Sequence, residues 1–540
     1  MIVDLFAGGG GASTGIEMGL NRPVDIAINH DTDAISMHAM NHPGADHYQS
    51  DVFEVDPLQA TNGRPVGHFH ASPDCTHHSQ ARAGQPRKKA LRSLSWVVHK
   101  WAGKVQPRVI TLENVEAMLH WSPLVAKRCK ETGRVIKVDG AVAAPGERVP
   151  CQEQFLIPDK RRKGHNWRHF VQGLRDMGYD VQFRTLRACD FGAPTRRERL
   201  FLIARRDGQP IVWPKPTHAA KPKKGQYAFR TAADCIDWSI RARSIFGRKR
   251  PLANPTHRRI ARSIQRFVLD PSERYVLAAN DARCSATSTA QTIMQNGESL
   301  AGAGSLIQTG YGERKGQSPR VLDLRKPLGT VVAGGVKHAI VTACMAQMNG
   351  GYNNTPGHAM GRPMSTICGR GTQQQLVTAN LVTLRQNSTG IAATDPLPTV
   401  CAGGLHHALV ECTLSPSSEA AALQVADFLI ANGDFDASIG MSRADKLKLV
   451  TVHHEGNVYV IVDIGLRMLE SRELYRAQGF PDSYVIDRGH DGRTLNKTAQ
   501  TRMVGNSVSP MPMAAIVRAN HRDIAAETAP QINTASAAYA

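Results

Sequence analysis

A cysteine, an acid and two arginines stand where they could do chemistry, each beside a short apolar run. Cys75 lies in Ala71-Ser72-Pro73-Asp74-Cys75-Thr76-His77-His78-Ser79, directly after Gly67–Ala71. That places the thiol on a loop in polar company, whereas free cysteines are more often inert core residues. A thiol so placed is a candidate nucleophile. His77 and His78 lack a further ligand at a usual metal spacing, so no metal site is expected. Glu113 closes the run Val109–Leu112 in Leu112-Glu113-Asn114-Val115. A carboxylate at the end of a buried run is costly unless it is paired or has a task, with a helix N-cap as the competing reading. Arg197 and Arg199 alternate in Gly192-Ala193-Pro194-Thr195-Arg196-Arg197-Glu198-Arg199, and in an extended segment they share a face. An ordinary Arg/Glu surface pair competes with a binding role there. Finally, Asp4-Leu5-Phe6-Ala7-Gly8-Gly9-Gly10-Gly11 leaves the first apolar run and opens a helix-like stretch, Thr14–Leu20. Glycines at such a bend let backbone amides approach a ligand, and the helix N-terminus favours an anion. A nucleotide or NAD site fits this loop, and so does a tight structural turn.

The elements that must position these residues follow a βα rhythm. Ile2–Phe6, Asp25–Ile28, Gly67–Ala71, Val109–Leu112, Val181–Leu186 and Leu200–Ala204 read as buried strands, with a helix over Asn166–Met177 stopped at Gly178. Strands alternating with helices predict an α/β fold, a parallel sheet covered on both faces, with ligands beyond the carboxyl ends of its strands. Between Glu131 and Gly164 the rhythm breaks into an inserted hairpin or loop ending in Lys160-Arg161-Arg162-Lys163. From Arg206 to Val460 it is gone. There Pro327–Val341 and Pro396–Val410 match at ten of fifteen positions, with a weaker copy at Pro363–Val377. Thr-Val, a glycine pair and an apolar run predict a β-hairpin used three times. Alternation returns at Val458–Ile464, followed by helices near Glu473–Gln478 and from Pro510, and the last twenty residues read as frayed. The expected domains are therefore 1–205, 206–460, a return segment 461–520 and a tail 521–540.

With 540 residues, of which 41% are hydrophobic, the chain can build a sizeable core, and this excludes wholesale disorder. No run of 18 apolar residues is present and Met1 leads straight into a strand, so neither a membrane span nor a signal peptide is expected. Ten scattered cysteines without a CxxC pair fit a reducing cytosol. The net charge is +20; Arg82–Arg108 holds eight Lys/Arg and Ser239–Val268 nine, neither with an acid. Such stretches suit a polyanion, with a solvated basic face as the competing reading.

Taken together and in order, the motifs resemble the DNA (cytosine-5) methyltransferase family of bacterial and phage type. DLFAGGGG is similar to its S-adenosylmethionine loop, PDCTHHS to its nucleophile loop, ENV to its acid motif and PTRRER to its Gln-x-Arg-x-Arg motif. Arg467–Asp482 resembles its Gln-Gly-Phe-Pro segment and Gly505-Asn506-Ser507-Val508 its last motif, so the resemblance covers about Met1–Arg205 and Ile461–Asn520. It implies an S-adenosylmethionine-dependent, Rossmann-like sheet with helices on both faces, plus a second, mainly β target-recognition domain. It also implies that Cys75 adds to carbon 6 of a flipped-out cytosine, that Glu113 contacts ring nitrogen 3, and that Arg197 and Arg199 hold the base. The cofactor would meet Phe6, Gly8, Gly10, Asp31, Asp51 and Asn506. Asp74 stands where the family usually has Pro, and a carboxylate there should raise the thiol's pKa.

The resemblance implies methylation of double-stranded DNA by a monomer in the cytoplasm of a bacterial or phage-infected cell, with a cognate restriction endonuclease as a potential partner. A tRNA cytosine methyltransferase shares these motifs, though the large basic middle region favours duplex DNA. A catalytically silent DNA-binding protein on the same fold and a dinucleotide-dependent oxidoreductase are the readings from other classes.

Overall fold

A computed structural model describes the chain apart from residues 75–91, 238–239, 241, 271, 273–275, 278–299, 309–316, 348–379, 384–390, 393–406, 410–415, 434–440, 455–456 and 522–540. The chain forms two compact units. Unit 1 comprises Met1–Cys235, Lys326–Val336 and Glu470–Tyr539; unit 2 comprises Ile236–Arg325 and Lys337–Leu469.

Unit 1 is built on β1 (Ile2–Leu5), β2 (Ile26–Asn29), β3 (Asp46–Gln49), β4 (His68–Ala71) and β5 (Val109–Asn114). Strands β6 (Leu124–Ala126) and β7 (Leu156–Pro158) form a separate arm, and β8 (Asp180–Arg187) and β9 (Glu198–Arg205) complete the main sheet. The order across that sheet is β3-β2-β1-β4-β5-β9-β8. The chain runs outward from β1 to β3 and then returns to lay β4 on the other side of β1. This switch point puts the loops after β1 and β4 side by side, where a ligand can enter. Ser72, just after β4, donates its N–H to Leu5 O at 3.2 Å.

The sheet is mixed rather than parallel: β9 runs antiparallel to β5, and β8 antiparallel to β9. The link from β8 to β9 holds only a short 3-10 turn, Ala188–Phe191, and a parallel return needs a longer crossover. β3 escaped the sequence reading because its residues, Asp-His-Tyr-Gln, form no apolar run at this edge.

Alternation along the strands feeds two cores. Val3, Leu5, Phe69 and Leu112 pack with Val98 and Trp101 of the helix Val97–Lys104 and with Phe170 and Leu174 of the helix His165–Asp176. Ile2, Val109, Phe201 and Ile203 pack on the other face with Ile16 of α1 (Gly11–Leu20) and Ile516 of the helix Pro510–Asn520. Truncating a fully buried Phe such as Phe170 to Ala would cost about 3–5 kcal/mol.

Unit 2 is mainly β. Its antiparallel sheet centres on Leu300–Gln308, His338–Gln347 and Asn457–Met468, packed with the helices Asn254–Ile264 and Pro416–Asn432. Val458–Ile464 is thus a strand, but it belongs here, and the return to unit 1 begins at Glu470 rather than 461. Residues 206–235 belong to unit 1 rather than to a domain starting at 206: Val212, for example, exchanges hydrogen bonds with Asn520.

The first repeat copy is not a hairpin. Its backbone groups bond outward to Pro194–Arg197 instead of across its own turn, and from His338 it becomes a strand. The second copy, the third apart from His407–Leu409, and the tail 522–540 lie outside the described residues. Among the described residues no helix is long and apolar enough to cross a membrane.

Candidate active site

The glycine loop leaves β1 through an unusual backbone. Phe6 has φ 65°, Gly8 52° and Gly10 77°. A non-glycine residue in this region is uncommon and tends to mark functional sites. Gly10 could carry no side chain: a Cβ there would stand 2.1 Å from Tyr484 Oη and 2.9 Å from His42 Nε2. Neighbouring strand ends line up beside the loop, because Ala7 N–H donates to Ile28 O and Ser50 N–H to Asn29 O, each at 3.1 Å. Phe6, Asp31 and Asp51 therefore follow the carboxyl ends of three adjacent strands.

Asp31 caps α2 (Thr32–Asn41) by accepting Ala34 N–H at 3.0 Å, and it pairs with Arg502. Burial works against its charge, but Arg502 and the Ala34 N–H hold the carboxyl below its usual value. Asp51 is exposed, its carboxylate oriented by the N–H of Phe53 at 2.9 Å. Asn506 is exposed at the end of the helix Lys497–Asn506. That helix end abuts the loop, since a Cβ on Gly9 would lie 3.0 Å from Met503 Cβ.

Beneath the loop lies a buried polar network that the sequence reading missed. Asp4 accepts the Ser13 hydroxyl at 2.6 Å; His38 Nε2 is 2.9 Å from the same hydroxyl, and His38 Nδ1 is 2.8 Å from His47 Nε2. Burial pushes the Asp4 carboxyl up to about 7 and holds His38 well below its usual value. The one available signal was an acid inside an otherwise apolar strand.

The acid motif lies two strands from β1. Glu113 is 6% exposed near the end of β5. Arg199 Nε on β9 stands 3.3 Å from Glu113 Oε1, close enough for an ion pair but not aligned as a hydrogen bond, so this oxygen keeps unused accepting capacity. Burial raises the Glu113 carboxyl, with Arg199 and then Arg197 opposing it. Asn114 Nδ2 donates to Pro73 O at 2.9 Å and so ties the acid motif to the loop on which Cys75 follows Asp74. Cys75 itself, with Thr76, His77 and His78, lies outside the described residues.

The two arginines do different work. Arg197 is buried and donates to Val331 O at 3.2 Å and Gly505 O at 3.0 Å. It fastens the Lys326–Val336 segment and the last motif to β9. Leu328 N–H donates to Pro194 O and Leu328 O accepts Arg196 N–H, which completes the seat. Gly505 is required there, because a Cβ would lie 2.1 Å from Ala333 N. The arrangement offers a raised carboxyl with a cation beside it, a glycine-lined bend and, hydrogen-bonded to the acid motif, the segment that leads to Cys75. These are parts for protonating or hydrogen-bonding a ring nitrogen while a ring carbon is attacked.

Comparison with known proteins gives the family of the chain. A 54-residue stretch is 39% identical to Type II methyltransferase M.SacI of Streptomyces achromogenes, covering 10% of this chain and 14% of that protein. M.AgeI of Thalassovita gelatinovora is 25% identical over 41% of this chain and 43% of its own length, and M.AquIA of Picosynechococcus sp. is 23% identical over 40% and 76%. The chain thus spans less than half the length of the first two of these relatives. A solved structure of Spodoptera frugiperda DNMT2 aligns with 97% of this chain and 98% of its own at 12% identity and a TM-score of 0.42. The family profile for C-5 cytosine-specific DNA methylase matches residues 1–127, 158–313 and 417–522. With that match over most of its length, the chain belongs to the C-5 cytosine-specific DNA methylase family.

Proposed function

We propose that the protein transfers a methyl group from S-adenosylmethionine to carbon 5 of a cytosine flipped out of double-stranded DNA, through a covalent adduct with Cys75. The observation that carries this reading is the buried Glu113 oxygen with unused accepting capacity beside Arg199, one hydrogen bond from the Cys75 loop. Carbon 5 of cytosine is a poor nucleophile. Addition of the Cys75 thiolate to carbon 6 makes the ring an enamine, and Glu113 stabilises that addition by holding a proton at ring nitrogen 3 and contacting the amino group. Once carbon 5 carries the methyl group, a base removes the carbon 5 proton and the bond between carbon 6 and sulfur breaks, which frees Cys75 and leaves 5-methylcytosine. Arg199 orients Glu113 and offsets charge at the base. Arg197 acts as a positioning residue through Val331 and Gly505. The target atom is inaccessible inside a duplex, and extrusion costs about a few kcal/mol.

S-adenosylmethionine suits the residues at the strand ends. The Phe6–Gly10 bend leaves the end of β1 at positive φ at positions 6, 8 and 10, and Asp31 and Asp51 present acceptors at the two adjacent strand ends. When bound, the cofactor supplies an electrophilic methyl group. Phe6, Gly8 and Gly10 would line its loop, Asp31 would take the ribose while sharing its carboxylate with Arg502, Asp51 would accept the adenine amino group, and Asn506 would close the site. Unit 2 would read the target sequence, and the relatives' names, Type II methyltransferases, support a place beside a restriction endonuclease.

Incubation with labelled S-adenosylmethionine, mixed-sequence DNA and tRNA tests the reading. Label on DNA that disappears with Cys75→Ser supports it. Label on tRNA alone makes the protein a tRNA methyltransferase, and DNA binding without label makes it a silent binder. A 5-fluorocytosine duplex carrying the recognition site should trap an adduct at Cys75.

A further inference from the structure

The run Lys160-Arg161-Arg162-Lys163 takes no part in the chemistry above, yet its place in unit 1 is well defined. It follows the arm made by β6 and β7, which pair Leu124 with Pro158, and Asp159 N–H donates to Pro123 O at 2.9 Å. The root of the arm is tied to two other parts of unit 1. Arg92, the first described residue after the Cys75 loop, donates to Ser122 O at 3.0 Å, and Trp121 O accepts Asn166 N–H at 3.0 Å. The body of the arm, residues 128–157, falls outside the family match.

The charges at this root are poorly compensated. All four side chains of the run are exposed. Asp159 is occupied by Arg161 N–H at 2.9 Å and Arg162 Nε at 3.3 Å, and among the described residues Lys160, Arg161 and Lys163 form no ion pair. The helix His165–Asp176 starts immediately afterwards with no acid in its first turn, and exposed Arg168 donates to Lys163 O. A helix start carries partial positive charge, so cations placed before it repel it and one another. A polyanion lying across them would relieve that repulsion and release its counterions.

We propose that the root of this arm is a phosphate clamp that grips the sugar–phosphate backbone of duplex DNA outside the recognition sequence. The proposal deepens the reading above and rests on it. Phosphate contacts position a protein without reading sequence, so the clamp sets affinity and salt dependence rather than target choice. Each contact adds about 0.9 to the slope of log affinity against log salt, so a fourfold rise in salt costs ~3.5-fold in affinity per contact. Four contacts amount to ~150-fold between about 50 and 200 mM salt.

The test compares full-length wild type with the combined variant Lys160→Ala, Arg161→Ala, Arg162→Ala, Lys163→Ala. Binding to a random-sequence duplex of about 40 base pairs is measured over that salt range, alongside methyl transfer to genomic DNA. The clamp predicts a slope shallower by about 3–4, a raised KM for DNA, an unchanged kcat at saturating DNA and an unchanged set of methylated positions. Arg161→Lys with Arg162→Lys keeps the charge and should keep the slope. If wild type methylates DNA and the alanine variant matches it in slope and KM, the clamp is wrong and the methyltransferase reading stands. If wild type labels RNA and leaves DNA unlabelled, both fail together.

Discussion

Asp4→Asn probes the carboxyl beneath the glycine loop. Asp4 is fully buried; Oδ2 accepts the Ser13 hydroxyl, and Oδ1 has no hydrogen-bond partner among the described residues. Burial moves its pKa from 3.8 to about 7, while Ser13 and His42 pull the other way. Because the folded value is the higher one, the native state keeps a proton that the unfolded chain has lost. The stability from that proton is full below the unfolded value and is lost as pH rises through the folded value. At ~1.36 kcal/mol per pH unit, the interval between the two is worth about 4 kcal/mol by pH 8. Asparagine has the shape of the protonated acid and cannot ionise. The Asp4→Asn variant should therefore match wild type only below about pH 3.8, lead it by ~1.6 kcal/mol near pH 5 and exceed it by up to about 4 kcal/mol near pH 8. Urea titrations followed by tryptophan fluorescence suit the measurement, since Trp96, Trp101, Trp121, Trp167 and Trp213 all lie in unit 1. A gap that is absent at pH 8, or that favours wild type, would refute the argument that this group is held neutral by burial.

Glu113→Gln should lower kcat by about 10²–10⁴-fold. Because burial raises the Glu113 carboxyl, wild-type activity should fall as pH climbs through that raised value, and a kcat–pH profile of the variant should lack this limb. Gly10→Ala forces a Cβ against Tyr484 Oη at positive φ; calorimetry should show weaker S-adenosylmethionine binding, and thermal unfolding a loss of about 1–3 kcal/mol. Arg197→Lys removes the Nη1 that donates to both Val331 O and Gly505 O and puts an ammonium on a shorter stem in its place. It should cost about 1–3 kcal/mol and expose Lys326–Val336 to faster hydrogen exchange, read by mass spectrometry.

Much of unit 1 was legible because its information is local. Buried runs such as Val109–Leu112 and Leu200–Ala204 mark their own strands, and Glu113 stands out as a charge at the end of one. Strand direction was not local. Nothing within Val181–Leu186 says that it runs against β9; that follows from the short link at Ala188–Phe191. The repeat at Pro327–Val341 misled for the same reason. Its Thr-Val and Gly-Gly pattern fits a hairpin, but its hydrogen-bonding partners lie 134 residues away at Thr195 and Arg197. The division of labour between Arg197 and Arg199 was hidden too. Alternation puts them on one face, but only the fold reveals that one meets carbonyls and the other a carboxylate.

Because Lys326–Val336 is built into the catalytic unit, the polypeptide crosses between units four times, at 235/236, 325/326, 336/337 and 469/470. Unit 2 is therefore no cassette with two ends. A chimaera cut at positions 235 and 470 and filled from a relative would carry off the strip that Arg197 and Gly505 hold. Grafting a new specificity onto this scaffold requires a donor that brings an equivalent strip, or four junctions in place of two.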